Sequence, residues 1–260
     1  MSRVVAGLWL AVAMAASAGA ADQRRSGFED MGASTQALQR DDSQNPGWLW
    51  VKDGEKRFAA ECATCHSAEK LHGAAARYPA FDDVQSKPVT LAARINLCRQ
   101  RQARLPAFAA ESDELIALEA YLGRLARGLP IRPDADARLQ PFRDRGEVLY
   151  RQRIGQLDFS CAQCHDQHPG GRLAGSLIPQ AHPTGYPIYR LEWQGMGSLQ
   201  RRLRNCMTGV RAEPYAYGSN EYTAIELYLK QRSAGLPMRV PWSAPVAGRG
   251  ADDRRREIPS

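Results

Sequence analysis

Beyond its first twenty residues the 260-residue sequence has no apolar run long enough to cross a membrane, which takes about 20 residues. It has no basic stripe either. Thirty-five Lys and Arg against 28 Asp and Glu leave a net charge of +7 spread along the chain. That mild excess suits small anionic substrates or an acidic protein partner, not nucleic acid. No strand-rich region is visible, so a chain that is mainly α-helical is expected.

What the N-terminus does have is an export signal. Arg3 is the only charge before Asp22, and Val4 to Met14 form a short apolar stretch. Ala16-Ser17-Ala18 and Ala18-Gly19-Ala20 both offer a small-x-small cleavage site. Residues 1–21 are read as a signal peptide, which places the mature chain in the periplasm with no membrane span after cleavage. Residues 22–44 read as a polar arm and 246–260 as a charged tail, mobile or partner-wrapping because neither shows periodicity.

The six cysteines are not spaced as a disulfide framework. Four fall in Cys62-Ala63-Thr64-Cys65-His66 and Cys161-Ala162-Gln163-Cys164-His165. In a C-x-x-C-H pentad the two thiols add to the vinyl groups of a haem, and the following imidazole becomes an axial ligand of its iron. A zinc ribbon would need its second pair about 15–20 residues on. Two haem c groups are therefore expected, held by Cys62 and Cys65 and by Cys161 and Cys164.

Using the pentads as anchors uncovers a repeat. Leu91, Arg94, Ile95 and Cys98 match Leu199, Arg202, Leu203 and Cys206. Ser112-Asp113-Glu114 matches Ser219-Asn220-Glu221, Glu119-Ala120-Tyr121-Leu122 matches Glu226-Leu227-Tyr228-Leu229, and Gly128-Leu129-Pro130 matches Gly235-Leu236-Pro237. The order predicts two tandem, duplicated cytochrome c domains, at residues 45–135 and 136–245. Each has a helix entering the pentad (Gly54 to Ala60, and Arg145 to Tyr150), a helix ending near the isolated cysteine, and a Ser-capped helix stopped by Gly-Leu-Pro.

Electron-transfer haems ordinarily take Met or a second His as sixth ligand. His72, His168, His182, Met196, Met207 and Met238 do not recur at equivalent places in the two halves; Cys98 and Cys206 do. Each is a candidate thiolate ligand, and a Cys98–Cys206 disulfide is the alternative in an oxidising compartment. Arg201, Arg202, Arg204 and Arg211 surround Cys206, while Arg94, Arg99, Arg101 and Arg104 surround Cys98. Guanidinium groups lower a thiol pKa and match tetrahedral oxyanions, but by sequence both cysteines are equally well supplied.

The run from Arg202 through Cys206-Met207-Thr208-Gly209-Val210-Arg211-Ala212-Glu213-Pro214, with its continuation to Gly235-Leu236-Pro237, resembles the active-site segment of the SoxA family. SoxA is the dihaem subunit of the SoxAX cytochrome of bacterial sulfur oxidation. The resemblance extends from the first pentad to Pro237. It implies His66 and Cys98 on the first haem iron and His165 and Cys206 on the second. It also implies that Cys206 is the catalytic thiol, often carried as a persulfide, with Arg202 as its anion partner. The implied reaction joins thiosulfate to a cysteine of a SoxYZ-like carrier and passes two electrons through haem to a soluble cytochrome c. The implied partner is a SoxX-like monohaem cytochrome. A thiosulfate dehydrogenase making tetrathionate and a pure electron-transfer dihaem cytochrome are the alternatives.

Overall fold

The computed structural model describes residues 22–173 and 176–244; the signal peptide and charged tail read from the sequence lie outside them. Eight α-helices follow in order: α1 (Ala33–Arg40), α2 (Trp48–Glu61), α3 (Leu91–Arg101), α4 (Asp113–Arg124), α5 (Gln140–Arg151), α6 (Cys161–His165), α7 (Leu199–Gly209) and α8 (Asn220–Arg232). Strands are two or three residues long, too short to leave a periodic signal in sequence. They are β1 (Ala80–Asp82), β2 (Lys87–Val89), β3 (Arg172–Leu173), β4 (Ser176–Leu177), β5 (Ile188–Arg190), β6 (Gly195–Gly197) and β7 (Trp242–Ala244). β1 pairs with β2, β3 with β4, and β5 lies between antiparallel β6 and parallel β7.

The duplication is visible in the packing. In each half the helix entering the pentad crosses the Ser-capped helix, α2 on α4 and α5 on α8. A glycine sits at each crossing. A Cβ on Gly54 would lie 2.0 Å from the Ala117 carbonyl oxygen, and one on Gly146 would lie 2.1 Å from that of Ala224. Four residues on, Phe58 packs its ring 5.2 Å from Tyr121 and Tyr150 packs 5.3 Å from Tyr228. Ser112 Oγ accepts from the Leu115 N–H and Ser219 Oγ from that of Tyr222, so both serines are N-caps as expected.

The Gly-Leu-Pro stops behave differently from the expectation. Gly128 and Gly235 do adopt left-handed φ of 83° and 87°. However, α4 and α8 have already ended, at Arg124 and Arg232, and the glycines turn the chain beyond the caps. There the two stops pair with each other. Gly128 N–H donates to Met238 O (2.8 Å) and Gly235 N–H to Ile131 O (2.9 Å); Ile131 N–H donates to Leu236 O (2.8 Å) and Met238 N–H to Leu129 O (2.9 Å). This pseudo-twofold ladder joins the repeats over a buried cluster that includes Ile131, Met238 and Val240. Met196 of β6 also enters the core built by α2 and α4, so the halves share apolar surface.

The polar arm is docked, contrary to the sequence reading. It carries α1. Ser26 Oγ meets Thr184 Oγ1 at 2.8 Å, Gln39 Nε2 donates to the carbonyls of Arg239 and Pro241, and Arg24 donates to those of Arg232 and Ala234. Phe28 is buried with the Arg40 and Arg239 guanidiniums over its ring. The arm's polar side chains satisfy loop carbonyls that have no ladder partner, a destination that composition does not encode.

Between the repeats lies a cavity of about 380 Å³ whose walls include Asn96, Glu119, Gln200, Glu226 and Lys230. Glu119 and Glu226 are repeat equivalents. Burial, reinforced by their mutual repulsion, raises Glu119 to about 8; burial raises Glu226 to about 7 and lowers Lys230 to about 8. Glu119 binds its proton more tightly folded than unfolded. Its contribution to stability is therefore complete below about 4.5 and is lost as pH rises toward about 8. Glu119→Gln, which keeps an acceptor for the Ala92 N–H, is expected to leave Tm unchanged near pH 4.5. At pH 8 it should stabilise by about 1–2 kcal/mol, a value reduced for water in the cavity. Thermal unfolding across that range checks this; a Tm difference independent of pH would contradict it.

Candidate active site at the second pentad

The short helix α6 begins at Cys161 and ends at His165, and a capping box holds it. Ser160 Oγ accepts from the Gln163 N–H at 3.2 Å, and Gln163 Oε1 accepts from the Ser160 N–H at 2.8 Å. Residues three apart share a helical face, so Cys161 and Cys164 point the same way. The His165 Nδ1–H donates to the Pro179 carbonyl at 2.7 Å, which fixes the ring. His165 also hydrogen-bonds Cys206 on α7. The thiols of Cys161 and Cys164 both feel the charge of Cys206, and burial together with that charge pushes Cys161 up to about 12.

Burial alone would raise the Cys206 thiol as well. The His165 hydrogen bond and the charges of Arg202, His165 and Arg190 overcome it and bring Cys206 down to about 7. For Arg202 the attraction to Cys206 is the largest influence and raises its pKa. The donor set fits haem c: two neighbouring thiols for attachment, an oriented imidazole, and a thiol on another helix set against that imidazole.

The first pentad is built differently. Cys62 caps α2, and Cys65 and His66 follow in a turn, with the His66 N–H donating to Cys62 O at 2.9 Å. Cys98 lies near Cys62, whose thiol is pushed up by burial and by that neighbour. Three of the four arginines around Cys98 are spent elsewhere. Arg94, the equivalent of Arg202, pairs with Asp82 at 2.6 Å, and Arg101 pairs with the same carboxylate at 3.5 Å. Arg99 pairs with Glu61 and stacks 3.5 Å above the Phe108 ring. Around Cys206, Arg201 stacks on Trp193, while Arg204 donates to Tyr215 O and stacks on Tyr217. All six cysteines are free, and Cys98 and Cys206 sit in separate thiol clusters, so the disulfide alternative does not hold.

Among the other ligand candidates His72 and His168 are exposed, and the remaining four have structural occupations. His182 is buried against Ser233 Oγ at 3.1 Å, and burial lowers its pKa to about 4. Met207 accepts from the Tyr222 hydroxyl, and Met196 and Met238 are core residues. Sequence reasoning missed Arg190, Tyr186 and the Pro179 carbonyl. Arg190 lies sixteen residues before Cys206, on a strand, and no motif marks it.

The repeated helix crossing, the pentads and the thiol set against His165 define a tandem c-type cytochrome with a cysteine-centred site in its second half. The SoxA/TsdA cytochrome c domain matches residues 48–131 and 145–238. The chain belongs to that family. It is 32% identical over 229 residues to the L-cysteine S-thiosulfotransferase subunit SoxA of Rhodovulum sulfidophilum, spanning 85% of this chain and 80% of that one. Its identity to the SoxA subunit of Pseudaminobacter salicylatoxidans is 31% over 230 residues, with the same coverage. In the crystal structure of SoxXA from P. pantotrophus, a chain 29% identical superposes with a TM-score of 0.81, over 85% of this chain and 87% of that one.

Proposed function

We propose that this protein is the catalytic, dihaem subunit of a periplasmic L-cysteine S-thiosulfotransferase, with Cys206 as the reactive thiol and Arg202 as its anion partner. The observation that carries the reading is the placement of Cys206 on α7 against His165 of the second pentad, with the Arg202 guanidinium attracted to it, in a chain similar to SoxA subunits. Cys62 and Cys65 would hold one haem, with His66 and Cys98 as axial ligands. Cys161 and Cys164 would hold the other, with His165 and Cys206. Haem, when bound, supplies a one-electron acceptor for each of the two electrons released.

The net reaction joins a carrier cysteine thiolate to the outer sulfur of thiosulfate. One S–S bond forms and two electrons leave. In the route favoured by the geometry, the Cys206 sulfur bonds the outer sulfur of thiosulfate as those electrons depart. The carrier thiolate then attacks that outer sulfur, and Cys206 leaves as a thiolate, as in thiol–disulfide exchange. The neighbouring Arg202 cation favours departure of the thiolate. A SoxX-like monohaem cytochrome is the proposed partner, a SoxYZ-like protein the carrier, and a soluble cytochrome c the acceptor.

The test is reconstitution of the haem-loaded protein with partner, carrier, thiosulfate and oxidised cytochrome c. Mass spectrometry of the carrier is expected to find one added thiosulfate on its cysteine, and two cytochromes reduced per conjugate. Tetrathionate formed without the carrier would replace this reading by a thiosulfate dehydrogenase. Cytochrome reduction with no sulfur product would leave only electron transfer.

A further inference from the structure

Beside His165 lies an open cavity of about 390 Å³ whose walls include Gln23 and Arg24 of the N-terminal arm, Gln180, His182 and Arg232. The arm reaches it over the segment 179–184, which begins with the Pro179 carbonyl that accepts from His165 Nδ1–H. The next residue, Gln180, uses both ends of its side-chain amide on the arm. Its Oε1 accepts from the Arg25 N–H at 2.8 Å and its Nε2 donates to the Gln23 carbonyl at 3.3 Å. Four residues on, the buried Thr184 meets Ser26 Oγ at 2.8 Å. The arm is in turn fixed to the end of α8, where Arg24 donates to the carbonyls of Arg232 (2.9 Å) and Ala234 (3.0 Å). A loop carbonyl orients an imidazole only as firmly as the loop itself is held. Here the residue directly after that carbonyl is tied twice to a segment 155 and 157 positions away.

We propose that the arm is a brace for the axial histidine, with Gln180 as the positioning residue. By holding the chain just after Pro179, the two Gln180 bonds keep that carbonyl on His165 Nδ1. A carbonyl accepting there makes the imidazole a more basic ligand, which favours ferric over ferrous iron. The arm therefore lowers the potential of the second haem. The inference rests on His165 as an iron ligand, as read above, and is independent of the sulfur chemistry. It gives a segment whose polar composition suggests a mobile or partner-wrapping role a task within its own chain.

The test is a redox titration of the haem-loaded protein, followed by visible and electron paramagnetic spectra. It compares wild type with Gln180→Ala, Ser26→Ala and Gln39→Ala. Gln180→Ala removes both bonds beside Pro179, and one of the two haem potentials is expected to rise while the other stays. Weakening one hydrogen bond shifts an equilibrium by up to about tenfold, which is up to about 59 mV for a one-electron couple. Ser26→Ala, farther along the segment, moves the same potential the same way by less. Gln39→Ala removes the arm's bonds to the Arg239 and Pro241 carbonyls, away from Pro179. It is expected to lower Tm and leave both potentials at their wild-type values, which separates positioning from stability. Unchanged potentials in Gln180→Ala overturn the brace, as does an equal shift in Gln39→Ala. If Gln180→Ala does not accumulate with two haems, Ser26→Ala decides, and unchanged potentials there overturn the brace. Wild type with no haem on the second pentad, found by peptide mapping, would defeat the ligation reading and the brace with it. Two haems with unmoved potentials would remove the brace alone.

Discussion

Cys206→Ala is expected to abolish thiosulfate conjugation, lowering the rate by at least about a thousandfold, the scale on which enzymes lose a reacting nucleophile. Attachment chemistry at both pentads should remain, because Cys62, Cys65, Cys161 and Cys164 are untouched. The contrast that gives this result meaning is Cys98→Ala, expected to keep activity within about tenfold of wild type. The two cysteines are repeat equivalents, so the difference must come from their surroundings. Near Cys98 the Asp82 carboxylate takes Arg94 and Arg101, and Glu61 takes Arg99. Near Cys206 the strongest interaction of the Arg202 guanidinium is with the thiol itself. A thiol with a cation aimed at it is both a better-populated nucleophile and a better leaving group. The experiment is steady-state conjugation with haem content measured on the same samples. Full activity in Cys206→Ala with normal haem, or equal losses in both variants, would end the assignment of Cys206.

The largest stability effect is expected at a residue with no chemistry. Gly146→Ala adds one carbon where α5 crosses α8. That carbon would stand 2.1 Å from the Ala224 carbonyl oxygen and 2.8 Å from Tyr228 Cβ. Neither is the end of a flexible side chain, so the helices must separate. Separation would loosen the Tyr150–Tyr228 ring contact and the packing beneath the pentad. Overpacking a core in this way costs about 3 kcal/mol or more, a large share of the roughly 5–15 kcal/mol by which domains are stable. A Tm drop on the order of 10 °C is expected, or failure to accumulate. Gly209→Ala is the control. A Cβ there meets nothing within 4 Å, and alanine suits a helix better than glycine, so no loss of Tm is expected. Gly54→Ala should reproduce the Gly146 result in the first half, since its Cβ would meet Ala117 in the same way. Unchanged melting in both crossing variants would show that the helices do not approach as closely as described.

The features legible in the sequence were those set within a few residues. The pentads are pentapeptides. Ser112 and Ser219 cap helices through bonds to residues three positions on. The Gly-Leu-Pro stops were half legible. Left-handed backbone at Gly128 and Gly235 follows from residue type, but their pairing with each other joins residues more than a hundred apart. The arm at residues 22–44 was misread for the same reason, since its polarity is local information and the carbonyls it satisfies are not.

Taken by itself, the amino-acid sequence determined the two C-x-x-C-H pentads, the duplication and the helical architecture, all written in spacing and local propensity. The family resemblance singled out Cys206, and the tertiary structure supplied the physical contrast with Cys98: carboxylates take the arginines near Cys98, while Arg202 is attracted to the Cys206 thiol. Every neighbouring arginine has the same charge, and only the fold decides whether its field is cancelled by a carboxylate such as Asp82 or delivered to a sulfur. That choice is electrostatic, acts over a few ångströms through space, and depends on residues such as Arg190 that no local pattern marks.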